Sequence, residues 1–276
     1  MIEIEKVTPN IAFKAANIAK TTYYYVAKPA ADMRKKPLDD DLKADLQKLS
    51  GYETTYGYRK VTKKLEKYNH KKVYRHMKKM KMLQPRKLKK KKHKRLPIEC
   101  PIVSNVRWEG DLSYVYDGQR LNYLFSVVDA CDKEIIGDYY GLRCRSDEAI
   151  ISLEEAVKKR FGSLEPVDYF RVRLRLDQGS QYISQKFKDR AKELGVYIDY
   201  CGIDCPDDKP FIESFFSRYK CEEVYRNEYS NFSQAFIHWV QYKHWYNNSR
   251  IHQGLAYKTI PEFKKQQEAL HLQRSF

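Results

Sequence analysis

Between Phe170 and Tyr182 the chain reads "FRVRLRLDQGSQY". Phe170, Val172, Leu174 and Leu176 alternate with Arg171, Arg173 and Arg175, the period-two pattern of a strand with one apolar face. The alternation stops at Asp177, in phase with the arginines, and Gly179 and Ser180 follow, where backbone or substrate can approach closely. A strand that ends on an acid and a turn, in so basic a chain, sets the fold and the chemistry together.

Upstream, "NVRWEGDLSYV" (105–115), "LNYLFSVVDA" (121–130) and "EIIGDYYGL" (134–142) predict three strands joined by hairpin-length turns. In the first, Val106 and Trp108 face one side while Arg107, Glu109 and Asp111 face the other. "SDEAIISLEEAVKKRF" (146–161) predicts a helix with early acids, and the 170–177 strand follows it. A helix around 184–194, a strand at 196–200 and a long helix over about 208–225 complete an α/β domain of about 120 residues. In "DDKPFIESFFSRYKCE", Ile212, Phe215, Phe216 and Tyr219 form the buried stripe, Glu213 borders it, and Lys220 stands two turns on.

The flanks differ in texture. Residues 10–26 and 39–50 have helical spacing, and "TYGYRKVTKKLEKYNHKKVYRHMKKMKML" (55–83) predicts two short basic helices. That pair fits a helix-turn-helix about as well as a plain helical hairpin. Residues 86–95 hold eight Lys or Arg in ten positions, too dense to pack as core, so the segment reads as a solvated linker. The tail from 232 to 273 is mostly helical, interrupted at "YNNSRIHQG". The expected organisation is a helical DNA-binding region over 1–84, a basic linker over 85–104, a catalytic core over 105–228 and a helical tail over 229–276.

The 276 residues carry a formal charge of +17, which favours polyanions because every neutralised phosphate releases counterions. No apolar run is long enough to span a membrane. The N-terminal "MIEIEKV" carries acids where a signal peptide needs basic residues, so a cytoplasmic, nucleoid-associated protein with reduced thiols is expected. Three acids on one basic domain have a coherent use. Carboxylates holding divalent ions activate an attacking oxygen and stabilise a leaving one in phosphodiester displacement.

The motifs "WEGDLSYVYDGQRLNYLFSVVDACDKEIIG", "LRLDQGSQYISQKF", "DDKPFIESFFSRYKCE" and "YNNSRIHQGLAYKTIPEF" together resemble the family-three group of bacterial insertion-sequence transposases, in its downstream (OrfB) product. The resemblance runs from about residue 105 to 263 and implies a ribonuclease H-like, retroviral-integrase-type core: a five-stranded mixed sheet with flanking helices, a helix-turn-helix before it and a helical tail after it. Asp177 and Glu213 have thirty-five residues between them, the interval of that family's Asp-Asp-(35)-Glu triad, and Asp111 matches its first position. The triad is implied to bind Mg²⁺ or Mn²⁺, two ions in all, and to act in strand cleavage followed by 3′-hydroxyl attack.

Lys220 matches a basic position that meets DNA near the reacting end. Arg59, Lys60, Lys71, Lys72, Arg75 and the run Lys89, Lys90, Lys91 and Lys92 are further candidate DNA contacts. Double-stranded DNA, further copies of the chain and an upstream-frame protein are the expected partners. Two features depart from the family's pattern: Asp208-Lys209-Pro210 replaces Asp-Asn-Ala, and Gly110 stands where a Thr is usual. The competing readings are a non-catalytic DNA-binding regulator of a longer fusion transposase and a nuclease acting on RNA–DNA hybrids.

Overall fold

The computed structural model describes residues 38–85, 100–166, 171–202 and 209–274, together with Phe13, Asn17, Ala19 and Thr22. Within the expected helix over 10–26 the described positions include Asn17, which has a left-handed φ of 52° and interrupts a continuous helix there. The basic run over 86–95 and Asp207–Asp208 lie outside the described residues. The chain divides into two compact units, residues 1–48 and 49–276. Of the first, the described element is α1 (Asp40–Gln47), whose N-terminus is capped by the Asp39 carboxylate accepting from Leu42 N–H at 3.0 Å.

The second unit begins with a 3₁₀ turn over 51–55, then α2 (Tyr58–Leu65) and α3 (His70–Lys79). Glu66 ends α2 in the left-handed conformation, and Asn69 caps α3 by accepting from Lys71 N–H at 2.9 Å. The two short helices expected across 55–83 are therefore present, joined by a four-residue turn. Tyr52 stacks on Trp245 with ring centroids 4.7 Å apart, and the buried Tyr56 hydroxyl accepts from Ile251 N–H at 3.0 Å. This segment is thereby stitched to the C-terminal helices.

The core contains β1 (Arg107–Tyr116), β2 (Leu121–Asp129), β3 (Ile135–Gly141), α4 (Ser146–Phe161), β4 (Arg173–Leu176), α5 (Ser180–Ile183), α6 (Gln185–Glu193), β5 (Tyr197–Tyr200) and α7 (Pro210–Glu222). Two further helices, α8 (Phe232–Asn248) and α9 (Ile260–Arg274), form the tail. The five strands make one mixed sheet in the order β3-β2-β1-β4-β5. β1 pairs antiparallel with β2 and parallel with β4. This is the ribonuclease H-like, integrase-core arrangement.

Each sheet face has its own core. Trp108, Phe125, Leu174 and Leu176 pack under α4 and α6 through Leu153, Val157, Phe187 and Leu194. On the opposite face Val115, Leu124, Val128 and Tyr140 meet Ile212, Phe215 and Tyr219 of α7 and Trp239, Tyr242 and Tyr246 of α8. Gly110 belongs to the first face, where a Cβ would come within 2.6 Å of a Leu176 methyl. The leucine fills the volume that a larger side chain would need.

The arginine face of β4 also has a structural account. Arg175 lies opposite Asp199 on parallel β5 and pairs with it at 2.9 Å, while Arg171 rests over the Phe161 ring. The "YNNSRIHQG" interruption packs against the core. Asn247 clamps the Ile135 backbone through two hydrogen bonds, and Arg250 is buried against Glu222 at 2.6 Å.

Candidate active site

β1 and β4 run side by side in parallel with Glu109 opposite Arg175, so Asp111, midway along β1, and Asp177, just past the end of β4, lie level on one face of the sheet. The two carboxylates converge on a single positive centre. Lys209 Nζ lies 3.1 Å from Asp111 Oδ1 and 3.2 Å from Asp177 Oδ2. Asp177 Oδ1 also accepts from Gly179 N–H at 3.0 Å, so the "DQG" turn fixes the carboxylate that ends the strand.

Asp111 is partly enclosed, and burial pushes its carboxyl pKa up against the opposing pull of Lys209. For Lys209 burial disfavours the ammonium, but the two carboxylates outweigh it and hold the pKa above the ordinary value. Two carboxyl groups and one ammonium thus form a compact cluster.

Lys209 is the residue before α7, and its carbonyl accepts from Glu213 N–H at 3.1 Å. Glu213 therefore stands in the first turn of the helix whose leading residue sits between the aspartates, with its side chain exposed. Among the described residues no three His, Cys, Asp or Glu side chains gather closely enough to hold a metal ion. Asp111 and Asp177 are brought together; Glu213 is adjacent along the helix and not gathered into a ligand set with them. The aspartate pair itself suits a hard divalent cation. Its donors are carboxylate oxygens, and they already focus on one cationic point.

The helix is held in place by a residue that the sequence reading left on the polar face of β1. Glu109 is fully buried, and its Oε2 accepts from Phe211 N–H at 2.8 Å and Ile212 N–H at 3.0 Å. Its other oxygen receives Arg107 at 2.7 Å. Burial raises the Glu109 pKa, and the two backbone bonds and Arg107 oppose that. A buried carboxylate on the exposed N–H groups of a helix start is a cap supplied from another element. Glu109 and Asp111 are neighbours on one strand face, so β1 places one carboxylate in the site and anchors the helix that carries Glu213 with the other. The in-phase acids were visible in the sequence; the partner about a hundred residues away was not. Lys209 showed only as a departure from the family pattern.

The other basic candidates are dispersed. Lys220 is half-buried near the end of α7, where it borders a cavity with Tyr114, Tyr116 and Tyr225. Arg59 and Lys60 lie in α2, and Lys71, Lys72 and Arg75 lie in α3, with Lys72 over the Tyr68 ring. Lys89, Lys90, Lys91 and Lys92 lie outside the described residues. No helix among the described residues is long and apolar enough to cross a membrane.

Two family profiles, both described as an integrase core domain, match residues 103–205 and 194–259. The first span includes Asp111 and Asp177, the second Glu213. The protein InsK of insertion sequence element IS150, from Escherichia coli (strain K12), is 29% identical over 275 aligned residues covering 92% of each chain. The transposase for insertion sequence element IS904 of Lactococcus lactis is 25% identical over 162 residues, 58% of this chain and 62% of its own length. Among solved structures, the HTLV-2 integrase catalytic core domain in complex with magnesium matches at 15% identity and a TM-score of 0.43, over 58% of this chain and 95% of that one.

Proposed function

We propose, from the premise that the chain belongs to the integrase-core superfamily of DDE transposases, that it cleaves DNA at the ends of an insertion sequence and joins the freed 3′-hydroxyl to another strand. The observation that carries this reading is the convergence of Asp111 and Asp177 on one cationic centre beside the helix turn bearing Glu213. The three carboxylates are the proposed ligands of Mg²⁺ or Mn²⁺, two ions in the complete site. Such ions supply activation of the attacking oxygen and charge stabilisation at the leaving oxygen.

The residues of the chain do the rest by placement. Strands β1 and β4 fix the aspartates, and the "DQG" turn limits the rotation of Asp177. Glu109 holds the start of α7 and therefore the position of Glu213. Lys220 offers a cation to the DNA backbone two turns along the same helix, and the charge of +17 draws the duplex in. Double-stranded DNA, further copies of the chain and an upstream-frame protein are the proposed partners, and the nucleoid the proposed location.

The deciding experiment is strand joining in vitro with the flanking element ends, Mg²⁺ or Mn²⁺, and Asp177→Asn as control. Metal-dependent product from the wild type, lost in the variant, is the expected result. A second reading, a DNA-binding regulator without catalysis, is favoured by Lys209 alone, since an ammonium there neutralises the aspartates without a metal. DNA binding with no product, even after fusion to the upstream frame, would establish that reading instead.

A further inference from the structure

A cavity of about 810 Å³ opens beside the active-site helix, walled by the start of α2, the β2–β3 turn, the first turns of α7 and the loop around 250–257. Its described lining contains five Lys or Arg side chains and no Asp or Glu. Arg250 is neutralised by Glu222. The other four, Arg59, Lys60, Lys133 and Arg218, have no carboxylate within ion-pair distance among the described residues. Three of them sit over aromatic rings instead: Lys133 over Phe211 at 3.4 Å, Lys60 over Tyr56 at 4.7 Å and Arg59 over Tyr58 at 5.8 Å. A ring face orients a cation without cancelling its charge. Elsewhere in the core, Arg107, Arg160, Arg175 and Arg190 all have carboxylate partners.

Like charges gathered around a concavity without counter-charges destabilise the free protein and favour an anion that fills it. Lys60 registers this cost: burial, then Arg250, lowers its pKa to about 7 while Glu222 opposes and Arg218 adds to the lowering. Size and shape narrow the ligand. A double helix is too wide to enter a concavity of this volume, whereas one or two single-stranded nucleotides fit, with a base against the Tyr257 ring. The position fits as well. On α7, Phe211, Ser214 and Arg218 line the cavity, and successive residues turn by about 100°. Glu213 and Ser217, both exposed, therefore form the strip next to Ser214 and Arg218.

We propose that this cavity is a subsite for single-stranded DNA, holding one or two unpaired nucleotides beside the carboxylate site. The proposal rests on the reading of the protein as a DNA strand-transfer enzyme and names where an unpaired part of its substrate goes. The phosphates meet Arg59, Lys60, Lys133 and Arg218, and a base stacks on Tyr257.

The test is binding without metal, in an Asp177→Asn background, to labelled oligonucleotides by fluorescence anisotropy. The probes are a blunt duplex, the same duplex with a three-nucleotide single-stranded end, and the same duplex with a three-nucleotide internal bubble. The expected result is tighter binding of one unpaired probe than of the blunt duplex. A preference for the overhang assigns the subsite to a DNA end, and a preference for the bubble assigns it to an interior strand.

Arg59→Ala with Arg218→Ala should cut that preference about tenfold and lower the salt slope for the preferred probe by about 1.4, two single-strand phosphate contacts. Tyr257→Leu should weaken the preference and leave the slope intact. Removing the same charge from exposed Lys188 and Lys192 on α6 should weaken all probes alike. Equal binding of the three probes by the parent protein, or equal losses from the cavity and control pairs, would overturn the subsite. Because no cleavage is measured, a wild type that binds as expected but joins no strands, even when fused to the upstream frame, would refute the strand-transfer reading and leave the subsite standing.

Discussion

Two acidic clusters in this molecule are built from the same ingredients and differ in everything that matters for chemistry. In the candidate site Asp111 and Asp177 share the ammonium of Lys209. At the β2–β3 turn Asp129, Asp132 and Glu134 surround Arg160, which bonds both oxygens of Asp132 at 2.8 and 2.9 Å and lies 3.0 Å from Glu134. Asp129 and Asp132 are fully buried, and Asp129 spends its oxygens on Asn105 and Cys131 N–H groups, both at 2.7 Å. The Asp177 side chain, by contrast, is 45% exposed. One guanidinium nitrogen meets both oxygens of a fully buried Asp132. The Lys209 ammonium is equally enclosed, at 9% side-chain exposure, but one of its two carboxylates is open to solvent, so another cation can reach that carboxylate. The first arrangement ties a hairpin to α4, and the second keeps a carboxylate available.

Substitutions can break this contrast. Asp111→Asn, Asp177→Asn or Glu213→Gln should each reduce metal-dependent strand joining by at least about a thousandfold with little change in thermal midpoint, a loss of charge stabilisation at the reacting oxygens. Retained joining in any one of them would remove that residue from the triad. Arg160→Met should do the converse. It strands buried carboxylates, costs about 3–5 kcal/mol in urea unfolding and leaves the rate per folded molecule unchanged.

Lys209→Asn sharpens the same comparison. Without the competing ammonium, Mn²⁺ affinity measured by electron paramagnetic resonance should rise, by about tenfold if the cations exclude each other, while loss of the buried partner lowers the metal-free thermal midpoint. An unchanged Mn²⁺ affinity would mean that the Lys209 position and the ion position do not overlap. A pH-dependent effect belongs to Lys60, a side chain with neither kind of cluster around it. Its folded pKa of about 7 lies below the ordinary 10.5, so between those values the unfolded chain holds a proton that the folded chain has released. Stability should therefore rise as pH increases from about 7 to 10 and show no slope from this group below 7. The difference in thermal midpoint between wild type and Lys60→Met across that window measures it.

The comparison also marks what the sequence can disclose. Alternation in β1 and β4 and the stripe on α7 are local, so the strands, the helix and the facing of Asp111 and Glu109 were readable from spacing. The interval from Asp177 to Glu213 was readable only through the family resemblance. Partnerships across the fold were not readable at all. Arg175 meets Asp199 because β4 and β5 pair in parallel register, and Glu109 meets Phe211 because α7 returns over β1. Lys209 reaches the aspartates for the same reason, and a reader of the sequence sees only a lysine before a proline. Helical spacing over 10–26 likewise did not disclose the left-handed Asn17 that interrupts it, and the lysine run lies outside the described residues.

The grip of Glu109 on α7 also has a consequence for synthesis. Every strand of the sheet has been made once residue 200 leaves the ribosome, and α4 and α6 can already cover one face. The opposite face waits for α7 and then α8, up to residue 248, and until α7 is made Glu109 has no helix to cap and the aspartates have no Lys209 between them. Because most of a domain must emerge before its native contacts close, the nascent chain is a half-clothed sheet whose carboxylates face water. The last third of translation therefore acts as a timer, and a chain released early would carry two of the acids without the helix that bears the third.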